Sequence, residues 1–287
     1  MLPVSITLTR HDEPDWLIRE TLDSLGRQRG VAGEVLFLDQ QDDPETATHC
    51  GSLSTQDLRF TVVNVPAGGL SPVRNRAIEL AANDIILFID SDAVADPGWA
   101  AALAHSLTRD TVGVVGGRVV PRWHRPPGFV SRAPIIQEQY SLIDLGPDEG
   151  PCAKIVGANF GLHRGRLGEQ AFFDTDLGRR PGSLLGGEET DLCARVRGLG
   201  LEVCYNGAAS VEHQILPERI NLAWVQRRIF YAGVGRALQG GLPNPYHGGR
   251  GGVAANLGVI PVLPAYALGM LKGLWMRGTG RAPRGQH

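Results

Sequence analysis

Asp90-Ser91-Asp92 closes the apolar run Ile85-Ile86-Leu87-Phe88-Ile89. Such a run, rich in β-branched residues, reads as a strand buried on both faces, so the two carboxylates emerge at its carboxyl end. In open α/β sheets that edge is where ligands bind. Two carboxylates one residue apart repel unless a cation lies beside them, and a hard divalent ion is the usual partner. An ion held by one or two protein carboxylates keeps positions for phosphate oxygens, so the chemistry suggested is a metal–diphosphate site. The same acids also fit a plainer role as caps of the next helix, since Pro97 and Trp99 follow at a plausible helix start.

A second acidic pair, Glu188-Glu189, precedes Leu192, Val196 and Leu199, which share one helical face, while Gly198 and Gly200 are stop signals. Acids in a first turn complement the helix dipole by about 0.3–1 kcal/mol each, and Asp191 with Arg195 makes an ordinary i,i+4 pair. Spacing alone therefore explains this pair without any catalytic role.

The elements that would carry these residues alternate. Val4–Thr9 is a strand leading into the polar loop Arg10-His11-Asp12-Glu13-Pro14, and Asp15–Leu25 has helical periodicity. Glu34–Asp39 is a second strand ending in an aspartate, and Leu58–Val65 is a third. Gly68-Gly69 turns into a helix running to about Ala82, and the strand ending at Asp90 follows. Right-handed crossovers make this a three-layer α/β arrangement, a mostly parallel Rossmann-like sheet with helices on both faces. Asp39, Asp90 and Asp92 should converge on one crevice. Neither phosphate-loop pattern, GxxxxGK[ST] or GxGxxG, occurs.

The chain has 287 residues, enough for a sizeable core. A net charge of −2 and a pI near 6.4 give no reason to expect a nucleic-acid partner. Cys50, Cys152, Cys193 and Cys204 show no zinc-like spacing and read as reduced thiols. No basic, apolar leader precedes the first strand, so a cytoplasmic location is expected.

Taken in order, the first strand, the strand ending at Asp39, and the block Gly69-Leu70-Ser71-Pro72-Val73-Arg74-Asn75-Arg76-Ala77 leading to Ile89-Asp90-Ser91-Asp92 resemble inverting nucleotide-sugar glycosyltransferases of the GT-A group, family two. Val73 and Ala77 stand where that family's motif has small residues. Gly157-Ala158-Asn159, Phe172-Phe173-Asp174 and Ser210-Val211-Glu212-His213 resemble further family segments. The resemblance implies a GT-A fold with a nucleotide-sugar-binding half at 1–110, an acceptor-binding and catalytic half at 111–240, and a linker with an apolar C-terminal helical tail at 241–287. It implies Asp92 as ligand of a divalent cation, Mg²⁺ or Mn²⁺, with Asp90 beside the metal or ribose and His213 as a third ligand or diphosphate contact. It places Asp39 at the base or ribose and Arg74 near the nucleotide. The catalytic base falls on Glu189, where the family more often has aspartate, with Glu188 the alternative. A nucleoside-diphosphate sugar would be the donor, and a glycan, lipid-linked or small molecule the acceptor.

Two rival readings stand beside this one: a nucleotidyltransferase, whose glycine-rich basic signature the first strand lacks, and a non-catalytic sugar-nucleotide or membrane-interaction module. Pro121–Pro151 reads as an irregular lid-like stretch with a short helix near Pro134–Ile143. Leu222–Leu238 is a basic, aromatic helix, suited to closing over a diphosphate or to docking. Asn244–Gly252 looks like a hinge. Val253–Met276 is largely apolar but broken by Pro261, Pro264 and Lys272 and followed by arginines. It suits an interfacial anchor at the inner face of the plasma membrane, or equally a helix packed on the catalytic domain or in a homodimer.

Overall fold

Strand and helix alternate through the first hundred residues as the apolar runs predict: β1 (Leu2–Arg10), α1 (Asp15–Gly26), β2 (Val31–Asp39), α2 (Pro44–Ser52), β3 (Leu58–Asn64), α3 (Leu70–Leu80), β4 (Ile85–Asp90), β5 (Ala93–Ala95) and α4 (Trp99–Ser106). There follow β6 (Val112–Trp123), α5 (Phe129–Arg132), α6 (Pro134–Gln137), β7 (Glu149–Pro151), β8 (Asn159–His163), α7 (Arg164–Leu167), α8 (Glu188–Gly198), β9 (Glu202–Ile215), α9 (Leu222–Leu238) and α10 (Leu263–Gly278). This computed structural model describes residues 1–180, 182–238, 240 and 253–279. The stretch 244–252, read above as a hinge, lies outside them, as do Arg281 and Arg284.

The sheet runs β3-β2-β1-β4-β8-β6-β9-β5, with β7 paired to β9. Its first four strands are parallel, as helical crossovers require. The pairings of β8 with β4 and β6, and of β9 with β5 and β7, are antiparallel, so the sheet is mixed. Ile86 and Phe88 lie in a core with Val73, Ala77 and Ile78 of α3 and Leu192 and Val196 of α8. The alternating Leu87 points to the other face, where Gly161 lets it approach Leu107 at the end of α4. Helices thus cover both faces, which is why β4 reads as a continuous apolar run.

Two compact units divide the described chain. The first comprises Met1–Val120, Ile143–Phe173 and Glu189–His213; the second comprises Pro121–Leu142, Asp174–Glu188 and Gln214–His287. In the second unit, the short helix expected near Pro134–Ile143 is α6 with a 3-10 turn at Glu138–Tyr140, and α5 is added in the stretch otherwise expected to be irregular. Tyr140 stacks on Trp224 of α9 at 4.9 Å and meets Trp123 edge-on at 5.2 Å, so buried aromatic rings order a segment without periodicity. Arg228 donates to the Leu184 carbonyl at 3.1 Å and Tyr231 to the Gly182 carbonyl at 3.1 Å, so α9 pins the 182–185 segment. Ser210–His213, singled out above as a family-like segment, belongs to the 14-residue strand β9.

Candidate active site

Parallel register sets Arg10 opposite Asp39 and Thr9 opposite Asp90, so one strand separates these acids at the carboxyl edge of the sheet. Asp39 is buried and accepts backbone N–H bonds from Gln41 at 3.0 Å and Asp43 at 3.3 Å. The buried Arg10 guanidinium lies 3.9 Å from Asp39 and 3.5 Å from Asp43 and also bonds Asp15. Asp39 therefore shapes the loop after β2 as well as marking the crevice.

The turn after β4 is held from two sides. Thr21 of α1 donates to the Ser91 carbonyl at 2.9 Å, and the Asp90 N–H donates to the Ala158 carbonyl at 3.4 Å. The chain then enters β5, whose residue Ala93 pairs with His213 of β9. That register brings the His213 ring to Asp92, Nε2 to Oδ1 at 3.0 Å, with both side chains buried. Asp90, Asp92 and His213 each present a ligand atom, all within 4.8 Å of one another. Two carboxylates and an imidazole converging from separate elements fit a divalent cation.

A further carboxyl belongs to this neighbourhood, one that sequence reading had placed only in a polar loop. Glu13 is held above the usual carboxylate range, chiefly by burial, with the charge of Asp92 adding to the shift. Its spacing from Asp92 in sequence carries no signal; only the adjacency of β1 and β4 brings the two together.

The first unit contains a second focus. Arg74 of α3, expected near a nucleotide, is buried and reaches across the unit. Its Nη1 lies 3.0 Å from Glu189 Oε1, and its Nη2 lies 3.3 Å from Asp90 Oδ1 and donates to the Gly157 carbonyl at 3.1 Å. The rings of Phe160 and Phe173 flank the guanidinium at 5.5 and 5.6 Å. Asn75 clamps Phe173 reciprocally, donating to its carbonyl at 2.9 Å and accepting its N–H at 2.7 Å. The Arg-Asn pair thus fastens α3 to the second half of the sequence.

Glu188 and Glu189 do open α8. Glu188 is 3% exposed, whereas the Glu189 side chain is 18% exposed, so the carboxylate that incoming molecules can meet is Glu189. Gly157 makes room for it. A β-carbon there would collide with Glu189 Oε1 and lie 2.7 Å from Arg74 Nη2.

Comparison with known proteins agrees with this geometry. The family model described as glycosyl transferase family 2 matches residues 5–167. The chain is 30% identical over 178 residues to a glucosyl-dolichyl phosphate glucuronosyltransferase of Haloferax volcanii, covering 59% of this chain and 55% of that protein. It is 26% identical over 168 residues to the pre-mycofactocin glycosyltransferase of Mycobacterium tuberculosis, covering 58% of this chain and 34% of that protein. The matched region is thus about half of the first relative's length, or less. Among solved structures, the mannosyltransferase PcManGT from Pyrobaculum calidifontis, in complex with GDP-Man and Mn²⁺, superimposes with a TM-score of 0.56 at 20% identity, covering 98% of this chain and 73% of that one. GalNAc-T7 with UDP, GalNAc and Mn²⁺ gives 0.58 at 13% identity, covering 98% and 58%. The fold is GT-A, and the match over more than half of its length makes the chain a member of glycosyl transferase family 2.

Proposed function

We propose that the protein is an inverting glycosyltransferase moving a sugar from a nucleoside-diphosphate sugar to an acceptor hydroxyl with a divalent cation. The observation that carries this reading is the Arg74 guanidinium joining Asp90, one of three converging metal-type ligands, to Glu189, a partly exposed carboxylate. Residues 1–110 form the donor half in this reading, and 111–240 supply the acceptor side.

Asp90, Asp92 and His213 would hold the cation, which when bound would offset diphosphate charge as the leaving group departs. Asp39, with Arg10, marks the crevice end assigned to base and ribose. Arg74 fixes one oxygen of Glu189, orienting the carboxylate as general base with Glu188 behind it in sequence. The acceptor oxygen forms a bond to the anomeric carbon while its proton passes to Glu189. The bond from that carbon to phosphate oxygen breaks, and its electron pair leaves with the diphosphate. One displacement inverts the anomeric centre.

The PcManGT and GalNAc-T7 complexes support a nucleotide-sugar donor and Mn²⁺. The Haloferax relative, named for a glucosyl-dolichyl phosphate, favours a lipid-linked acceptor. A cytoplasmic site of action is consistent with such a donor. The tail at 253–276 has the alternatives of membrane contact, or of packing on the catalytic domain or in a dimer.

Thermal unfolding against a panel of nucleoside diphosphates and sugar nucleotides, with and without Mn²⁺, tests the reading. A ligand at a hundredfold its Kd should raise the midpoint by roughly 5–10 °C. Asp92→Asn should abolish the Mn²⁺-dependent part. Glu189→Gln should keep the shift and lose sugar transfer. No shift with any nucleotide, or transfer surviving both changes, overturns it.

A further inference from the structure

The second unit contains two parallel packed helices, α9 and α10, and the two faces of α10 differ sharply. α10 buries Tyr266, Gly269, Met270 and Gly273, a set at i, i+3, i+4 and i+7. The helices meet backbone to backbone. A β-carbon on Gly269 would collide with the Phe230 carbonyl of α9, one on Gly233 with the Tyr266 carbonyl, and one on Gly273 would lie 2.6 Å from the Val234 carbonyl. Small residues spaced four apart are the device by which apolar helices pack tightly while keeping their large side chains elsewhere.

Those large side chains face outward. Leu268 is 59% exposed, Leu271 63%, Leu274 51% and Trp275 53%, and Ile260 in the preceding 3-10 segment (Val253–Val262) is 57% exposed. Phe129, 67% exposed, joins the same region, because the α5 backbone lies against Gly258. A row of large apolar side chains this open exceeds what scattered surface residues explain.

Charge distinguishes the occupants of such a face. Residues 219–287 contain nine arginines and lysines and no aspartate or glutamate, in a chain whose net charge is −2. Apolar side chains, a tryptophan near the helix end and an acid-free, cationic stretch of sequence complement an anionic bilayer surface. A second copy of the same face would bring like charges together. Leu257–Gly278 is long and apolar enough to cross a membrane by length and composition. One face of α10 is nonetheless committed to α9, and Lys272 at mid-helix packs over the Phe230 ring at 5.5 Å.

We propose that the α9–α10 pair lies in the plane of an anionic phospholipid surface, inserting Ile260, Leu268, Leu271, Leu274 and Trp275 at the headgroup boundary. This docking goes beyond the transfer reaction and does not depend on it.

Co-sedimentation of the full chain with phosphatidylcholine vesicles, and with vesicles also containing phosphatidylglycerol, tests the proposal without nucleotide or acceptor. Binding should appear with the anionic vesicles and weaken as salt rises. Leu271→Glu/Leu274→Glu, at exposed positions that leave the α9–α10 contact intact, should lower it by roughly tenfold or more. Four outcomes overturn the proposal: binding to neither vesicle; binding by the double variant equal to the parent's; a dimer in sedimentation equilibrium, broken by the double variant, in a chain that ignores lipid; and retention on vesicles after an alkaline carbonate wash, which marks a spanning helix.

Discussion

The Arg74 guanidinium lies 3.0 Å from the Glu189 carboxylate, although 115 residues separate them in sequence. Lysine could keep the charge but not the planar fork that serves Glu189, Asp90 and Gly157 together. Arg74→Lys should therefore fold and lower kcat by roughly ten- to a hundredfold, with a smaller change in donor KM. Arg74→Ala strands two carboxylates beside each other and should cost about 3–5 kcal/mol in denaturant unfolding. Equal kcat in the lysine variant and the parent would show that Arg74 merely packs.

Gly157 is the nearest test of carboxylate placement that changes no charged group. A β-carbon at this position occupies the space of Glu189 Oε1. Gly157→Ala should displace Glu189 and reduce kcat by about a hundredfold, the cost of a misplacement near 1 Å. Nucleotide-induced thermal stabilisation should persist, because Asp92 and His213 are untouched.

His213 belongs with Asp92 by geometry, at 3.0 Å. His213→Ala should weaken Mn²⁺ binding by about tenfold or more, as titrated by loss of the free-ion paramagnetic resonance signal. Unchanged affinity would assign His213 to holding Asp92 alone.

Buried thiols give a pH signature independent of the site. Burial pushes Cys50 from its ordinary 9.0 to about 12, so the folded state favours the protonated thiol. The associated stability is complete below about pH 9 and is lost as pH climbs toward the folded value. Cys50→Ala should flatten that alkaline decline in urea-unfolding midpoints. A thiol reagent at neutral pH should reach Cys50 only after unfolding.

What sequence conveyed well was local. Ile85–Asp90 announced a buried strand and its acidic end because burial on both faces leaves a continuous apolar run. Glu188-Glu189 announced a helix start through the periodicity that follows. The partners of Arg74 stayed hidden, since nothing near residue 74 encodes Gly157 or Glu189; only the packing of α3 against the sheet does. β5 was missed because three residues, Ala93–Ala95, carry no pattern. The full length of β9 shows no single alternating pattern because Asn206-Gly207 interrupts it, and Asn206 is instead bonded to Ser106 and the Ala102 carbonyl. The short helix near Pro134–Ile143 was legible and is α6 with its 3-10 turn, whereas α5, four residues long, carries no helical pattern of its own.

The pairing of Ala93 with His213 has a consequence for how the molecule assembles. Side chains alternate along a strand, so a slip of one residue would bring Glu212 or Gln214 opposite Ala93 and turn the imidazole to the far side of the sheet. An ion gripping both the β4 turn and β9 would act as a reversible cross-link across some 120 residues of chain, closing a long loop in the unfolded ensemble. Metal loading would then proofread the final strand's register. Amide hydrogen exchange along β5 and β9 should slow on adding Mn²⁺, while exchange in β2 and β3 stays as it was.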